Sequence, residues 1–154
     1  MTWLSLLATI VGAIIALGSA LIVERRRERR EEVRERRRTK QDLYARYLAA
    51  HAGARARLRI VAATSGLSDE ERANQAREAY ASCYATRYEL EVLAPQTVVS
   101  AAGGFNRRAR ALRDVIIEGT DVETQGADRM REYLNDLRLV RAAMRVDLGS
   151  DVNG

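Results

Sequence analysis

One proline, one cysteine and one histidine are all that 154 residues contain of those types, and the aromatics are six tyrosines, one phenylalanine and one tryptophan. A chain so poor in turn-forming proline and in strand-favouring aromatics does not read as an all-β fold. Cys83 has no second thiol, so it forms no internal disulfide and no thiolate metal site. On a helix it reads as a small buried hydrophobe, not as a reactive thiol. His51 has no flanking nucleophile and no Glu-x-x-His partner of the di-iron kind, so packing is its expected role. A Walker-type GxxxxGK[ST] is missing, and Ala101-Ala102-Gly103-Gly104-Phe105 is not a dinucleotide fingerprint. No catalytic residue, metal ligand or cofactor is therefore expected, and the chain does not read as an enzyme. Lysine is nearly missing too: Lys40 stands alone among arginines. Its scarcity carries no mechanistic weight.

Charge is missing from one further place. Trp3 to Val23 contains no Asp, Glu, Lys or Arg and is dominated by Leu, Ile, Val and Ala. As a helix it is about 31 Å long, matching a hydrocarbon core of roughly 30 Å. Gly12 and Gly18 are tolerated in spanning helices, and Trp3 sits where an interfacial aromatic belongs. A cleaved signal peptide would need its basic residues before the apolar run, whereas here they follow it. Residues 1–23 therefore read as a retained transmembrane anchor. Arg25, Arg26, Arg27, Arg29 and Arg30 abut its C-terminal end, which places the N-terminus outside and the rest in the cytosol of a single-pass membrane protein. Ala8, Gly12, Ala16 and Ala20 share one face at four-residue spacing, the pattern that lets two spanning helices approach and associate.

Between Glu24 and Lys40 lie ten basic and five acidic residues, while the remainder of the chain holds sixteen of each. The net charge of +5 thus resides beside the apolar run. A nucleic-acid binder would spread its basic residues over a domain surface, often with stacking aromatics. Here the excess is local and free of aromatics, so anionic lipid headgroups are the expected partner of the first five arginines, and nucleic acid is not. Arg36 to Arg38 lie beyond a Debye length of about 8 Å from the surface. They read as helix support through the pairs Glu32–Arg36, Glu24–Arg27, Glu31–Arg34 and Glu35–Arg38. Residues 24–42 accordingly form a solvated helical stalk with Val33 as its one apolar side chain in the charged run.

An apolar period of three and four begins at Leu43. Leu43, Tyr44, Tyr47, Leu48, His51, Ala54, Leu58 and Val61 mark one buried stripe, ending near Ser65-Gly66. Ser68 with Glu71 reads as a capping box opening a second helix, whose inner side carries Ala73, Ala76, Tyr80, Cys83, Tyr84 and Leu90. Tyr80, Tyr84 and Tyr88 line one side, as core and rim packing. Pro95 breaks this helix or opens the next. Val98, Ala102, Phe105, Ala109, Leu112 and Ile116 give the cleanest stripe, with Gly103-Gly104 inside it as an expected weak point or close helix approach. Gly119 caps this helix, and Thr120 with Glu123 offers another capping box. The last helix is expected to firm up near Asp128, with Met130, Tyr133, Leu134, Leu137, Val140, Met144 and Leu148 on its stripe. The expectation is an all-α protein: an N-terminal transmembrane helix, a charged stalk, an antiparallel bundle over residues 43–148 and a frayed tail over 149–154.

The stretches Glu89 to Leu112 and Arg141 to Ser150 resemble small membrane-anchored helical proteins of high-GC Gram-positive bacteria, over about two thirds of the chain. That resemblance implies no activity and no ligand. The leading functional expectation is a membrane-tethered cytosolic interaction or scaffold module with a protein partner that the sequence does not name. The alternative is a self-associating part of a membrane assembly, such as a DNA-transfer accessory or a phage lysis component, built as a homo-oligomer through the small-residue face. A stator-like stalk would need one long unbroken helix, which Ser65-Gly66, Pro95 and Gly103-Gly104 argue against.

Overall fold

The described residues form the helices α1 (Thr2–Ala63), α2 (Asp69–Leu93), α3 (Gln96–Glu118) and α4 (Gln125–Asp147). The computed structural model describes the backbone of residues 2–119 and 125–149 and the side chains of residues 24–119 and 127–149. The small-residue face, the Trp3–Val23 side chains and the Thr120–Glu123 box lie outside the described residues. Among the described residues, no helix is long and apolar enough to cross a membrane. The chain divides into two compact units, Met1–Thr39 and Lys40–Gly154.

In the first unit, Glu24 to Thr39 are helical and exposed. The ion pairing here differs from expectation. Arg27 to Glu31 is the one pair within reach, at 3.1 Å, among the described residues of this stretch. The four pairs expected from spacing are not formed, because exposed side chains gain only a few tenths of a kcal/mol from such contacts.

In the second unit, local chemistry sets each helix end. Gly66 takes a φ of 84°, a left-handed conformation that stops α1 without steric strain. The Ser68 hydroxyl accepts from the Glu71 N–H at 3.2 Å, and the Glu71 carboxylate accepts from the Ser68 N–H at 2.9 Å. The capping box is thus present. These Ser68 donors, backbone first and hydroxyl second, hold the Glu71 carboxyl below its usual range. Ala94 is extended, as a residue before proline must be, and Pro95 is the N-cap of α3. Gly119, at φ 65°, ends α3. The last helix begins at Gln125, three residues before the expected Asp128.

Contacts give the topology. Arg46 pairs with Glu89 and Arg57 donates to the Ala79 carbonyl, so α1 and α2 run antiparallel. Arg113 meets Tyr84 and Ile116 clusters with Ala76, so α3 and α2 run antiparallel, and Arg108 meets Glu132 while Gly104 lies beside Asp136, so α3 and α4 do too. Tyr47 meets Asn106, while Leu58 and Val61 share a cluster with Ile116, so α1 and α3 run parallel. The result is the up-down-up-down bundle expected from the stripes. A larger apolar cluster built around Leu43, Tyr47, Phe105 and Val140 fills it, and a smaller one with Leu58, Ala76 and Ile116 closes the end near Gly66.

The third-helix stripe is buried throughout, together with Asn106 and Val115, which the period alone did not single out. On α2, Ala79 is buried and Tyr84 is not: at 37 % exposure Tyr84 stands at the rim. Gly103 and Gly104 neither break α3 nor mark a tight contact. An added Cβ at Gly104 would lie 3.7 Å from the Asp136 carboxylate, ordinary van der Waals distance, and at Gly103 only the Arg107 tip comes within 3.9 Å.

Candidate functional site

The most chemically capable side chains of the described residues gather inside the bundle. Four-residue spacing puts Tyr47 and His51 on the buried stripe of α1, and the same spacing puts Ala102 and Asn106 on that of α3. The Tyr47 hydroxyl donates to Asn106 Oδ1 at 2.8 Å. His51 is 2 % exposed, with its ring centroid 4.7 Å from both Tyr47 and Phe105 and 5.9 Å from Tyr80. Phe105 in turn packs on Tyr133 at 4.9 Å. Burial lowers the His51 pKa to about 4, against a smaller opposing effect of Asn106. The ring is therefore neutral at pH 7, and its Nε2 has no hydrogen-bond partner among the described residues.

This cluster has a hydrogen bond and a titratable ring, but no room. The void beside His51, walled by Leu58, Tyr80, Leu112 and Tyr133, holds about 10 Å³. A small-molecule site needs roughly 300 Å³ or more. Cys83 is buried as well, and burial pushes its thiol up to about 11, which keeps it protonated and unreactive. His51 and Cys83 take the packing roles expected of them.

A second polar cluster was not legible in the stripes. Asp147 accepts from Lys40 Nζ at 2.8 Å and from the Tyr44 hydroxyl at 2.6 Å, joining the last turn of α4 to α1. Burial pushes the Asp147 carboxyl up, but the Lys40 ammonium and the Tyr44 hydroxyl together outweigh it and hold the pKa below its usual value. A lysine ending a charged run and an aspartate beside a C-terminal cap both look like solvated residues in sequence. The one available signal was Tyr44, an apolar-stripe residue whose hydroxyl needs a partner.

On the outside, two features suit a partner. Along α2, Tyr84 lies against Tyr80 with centroids 5.3 Å apart and accepts from Arg113 at 2.7 Å. One turn further Tyr88, and one turn beyond it Val92, stand 62 % and 80 % exposed. Between α1 and α2 an open groove of about 580 Å³ has Ile60, Val61 and Ala79 on its walls and Arg57, Gln75 and Glu78 at its edges. Arginine fixes one edge, since Arg57 donates to Ala79 O at 2.9 Å.

Of the residues expected to act, Arg25, Arg26, Arg27, Arg29 and Arg30 are exposed on α1, and Arg27 alone of them is paired. Ala8, Gly12, Ala16 and Ala20 lie outside the described residues. No cluster of three or more metal-ligating side chains occurs among the described residues. Compared with family models, with curated proteins and with solved structures, the chain finds no match in any of the three, so no relative lends it a function.

Proposed function

We propose that this chain is a membrane-tethered helical interaction module. Trp3 to Val23 anchor it, the arginines from Arg25 to Arg30 lie at the anionic cytoplasmic surface, and the Lys40–Gly154 unit is the cytosolic body that meets a protein partner. The observation that carries the reading is the exterior of α2. Tyr88 and Val92, neighbours at four-residue spacing, are largely exposed although the same helix buries a complete stripe on its other side. Exposed apolar neighbours on a helix that already has a core support recognition of a partner surface. The groove beside α2, with its apolar wall and polar edges, supports the same use.

The test has two parts. A reporter active only in the cytosol, fused after Gly154, reads the orientation: activity is expected, and silence with a complementary exported reporter active would reverse the topology. Tyr88→Ser with Val92→Ser then reads the surface. Crosslinking of the wild-type chain in native membranes is expected to trap a partner band that this pair of substitutions removes, with the fold unchanged by circular dichroism. An identical band pattern from both proteins would take α2 out of the reading.

A further inference from the structure

Helix geometry sorts the stalk charges in a way that a count of them does not show. At about 100° per residue, Glu24, Glu28, Glu31, Glu32 and Glu35 fall within a sector of about 100° of the helix circumference. Every arginine of the stretch, and Lys40, falls outside that sector. Arg26, Arg30 and Arg37 lie on the side roughly opposite, with Val33 among them, and none of the three has an acidic residue three or four positions away. Glu24 to Thr39 are all helical and exposed, so stripe and face are both open.

Every glutamate of the stretch has an arginine three or four positions away on its own helix, whereas Arg26, Arg30 and Arg37 have no glutamate at that spacing. Here the one closed pair, Arg27 to Glu31, sits at the edge where the two sectors meet. An anionic headgroup surface would engage the arginine side and leave the glutamate stripe facing nothing. The stripe recurs at the spacing by which apolar residues mark a buried helix face, and its complement is present on the same helix at the same level. Glu28 is about 3 Å in height from both Arg26 and Arg30 at 1.5 Å of rise per residue.

We propose that the stalk docks side by side on the stalk of a second copy of this chain, the glutamate stripe of one against the Arg26, Arg30 and Arg37 face of the next. The two contact surfaces lie on opposite sides of one helix, so the contact is heterologous. Each added copy leaves one stripe and one face open, and the assembly grows as a row rather than closing as a pair. Exposed ion pairs are individually weak. The row therefore depends on parallel confinement at a membrane, and the inference rests on the tether reading.

The test uses full-length chain carrying Cys83→Ser, reconstituted in phosphatidylcholine vesicles. Copies with Glu28→Cys are mixed with tagged copies carrying Arg30→Cys and oxidised. The mixed disulfide is expected to exceed both same-site disulfides several-fold, and to fall in 1 M salt, where the Debye length is about 3 Å. Same-site disulfides alone would mean a symmetric pair through another face, and would overturn the proposal. So would mixed disulfides no more abundant than the same-site ones, since the stalks would then meet with no fixed face. Vesicle-bound chain with no disulfide overturns stalk docking and leaves the tether standing. Chain that does not float with the vesicles overturns the tether and the row together.

Discussion

Lys40 and Asp147, 107 residues apart in sequence, meet at 2.8 Å, and the same carboxylate accepts the Tyr44 hydroxyl. Three groups from the first and last helices of the bundle thus satisfy one another at its edge. Asp147→Ala leaves a buried phenol and a half-buried ammonium without their shared acceptor, and is expected to cost about 1–3 kcal/mol. Asp147→Asn keeps a neutral acceptor for Tyr44 and should cost less. Urea unfolding of the two variants checks the order; equal and negligible losses would mean that the ends of α1 and α4 are joined by packing alone.

His51 gives the bundle a defined acid sensitivity. Its folded pKa of about 4 lies below the unfolded value of 6.5, so the unfolded chain binds more protons between those limits. The stability present above pH 6.5 is lost as pH falls toward 4, by at most roughly 3 kcal/mol at 1.36 kcal/mol per unit. His51→Phe removes both the titration and the unpaired Nε2. It is expected to melt at or above wild type at pH 7, and to lose less stability than wild type between pH 6.5 and 4.5. Parallel melting-temperature profiles for the two proteins would show that the ring is already solvated.

Gly103 and Gly104 sit inside α3 with space for a side chain on either one. Gly103→Ala and Gly104→Ala should each stabilise the bundle by about 1 kcal/mol, the propensity difference between glycine and alanine in a helix interior. Thermal melts read the effect directly. A lower melting temperature for Gly104→Ala would mean that α4 approaches more closely than the 3.7 Å to Asp136 allows.

The Lys40–Gly154 unit holds both apolar clusters. A fragment beginning at Lys40 is accordingly expected to be soluble, helical and cooperatively folded. Within it Leu112, 7 % exposed, lies on the inner face of α3, and Leu112→Ala should cost roughly 2–5 kcal/mol. A broad melt for the fragment, or an unchanged melt for the variant, would each contradict the packing described.

The bundle was legible where one signal settled the structure alone. The apolar stripes named nearly every buried residue of α1, α3 and α4, because a 3.6-residue period with few competing signals has one solution. Ser68 with Glu71 and the glycines at 66 and 119 marked the helix ends for equally local reasons. What escaped was anything needing two distant segments at once. Asn106 falls on the buried stripe by position, yet a polar residue there reads as an interruption until Tyr47 is placed opposite it. Lys40 and Asp147 read as solvated charges until the bundle brings them together. Tyr84 was assigned to the core because periodicity does not measure depth, and Arg113 supplied a rim partner that sequence spacing does not reveal. The pairing expected along the stalk failed for another reason: favourable spacing gives opportunity, and exposed charges take little of it.

The separation that makes the Lys40–Asp147 contact long in sequence also makes it late in synthesis. The inward side of α1 finds Asn106 on α3 and Asp147 on α4, so its apolar stripe has nothing to lie against when it first leaves the ribosome. At roughly 5–20 residues per second, the 107 residues between Lys40 and Asp147 take about 5–20 s to appear. Within that interval α2 comes first and can cover Leu58 and Val61 through Ala76 and Ala79, while the Tyr44 hydroxyl at the other end of the stripe waits for Asp147. The first helix to be made is thus the last to be completed, and its Lys40 end is where a chaperone or a neighbouring nascent copy would find the newborn chain open.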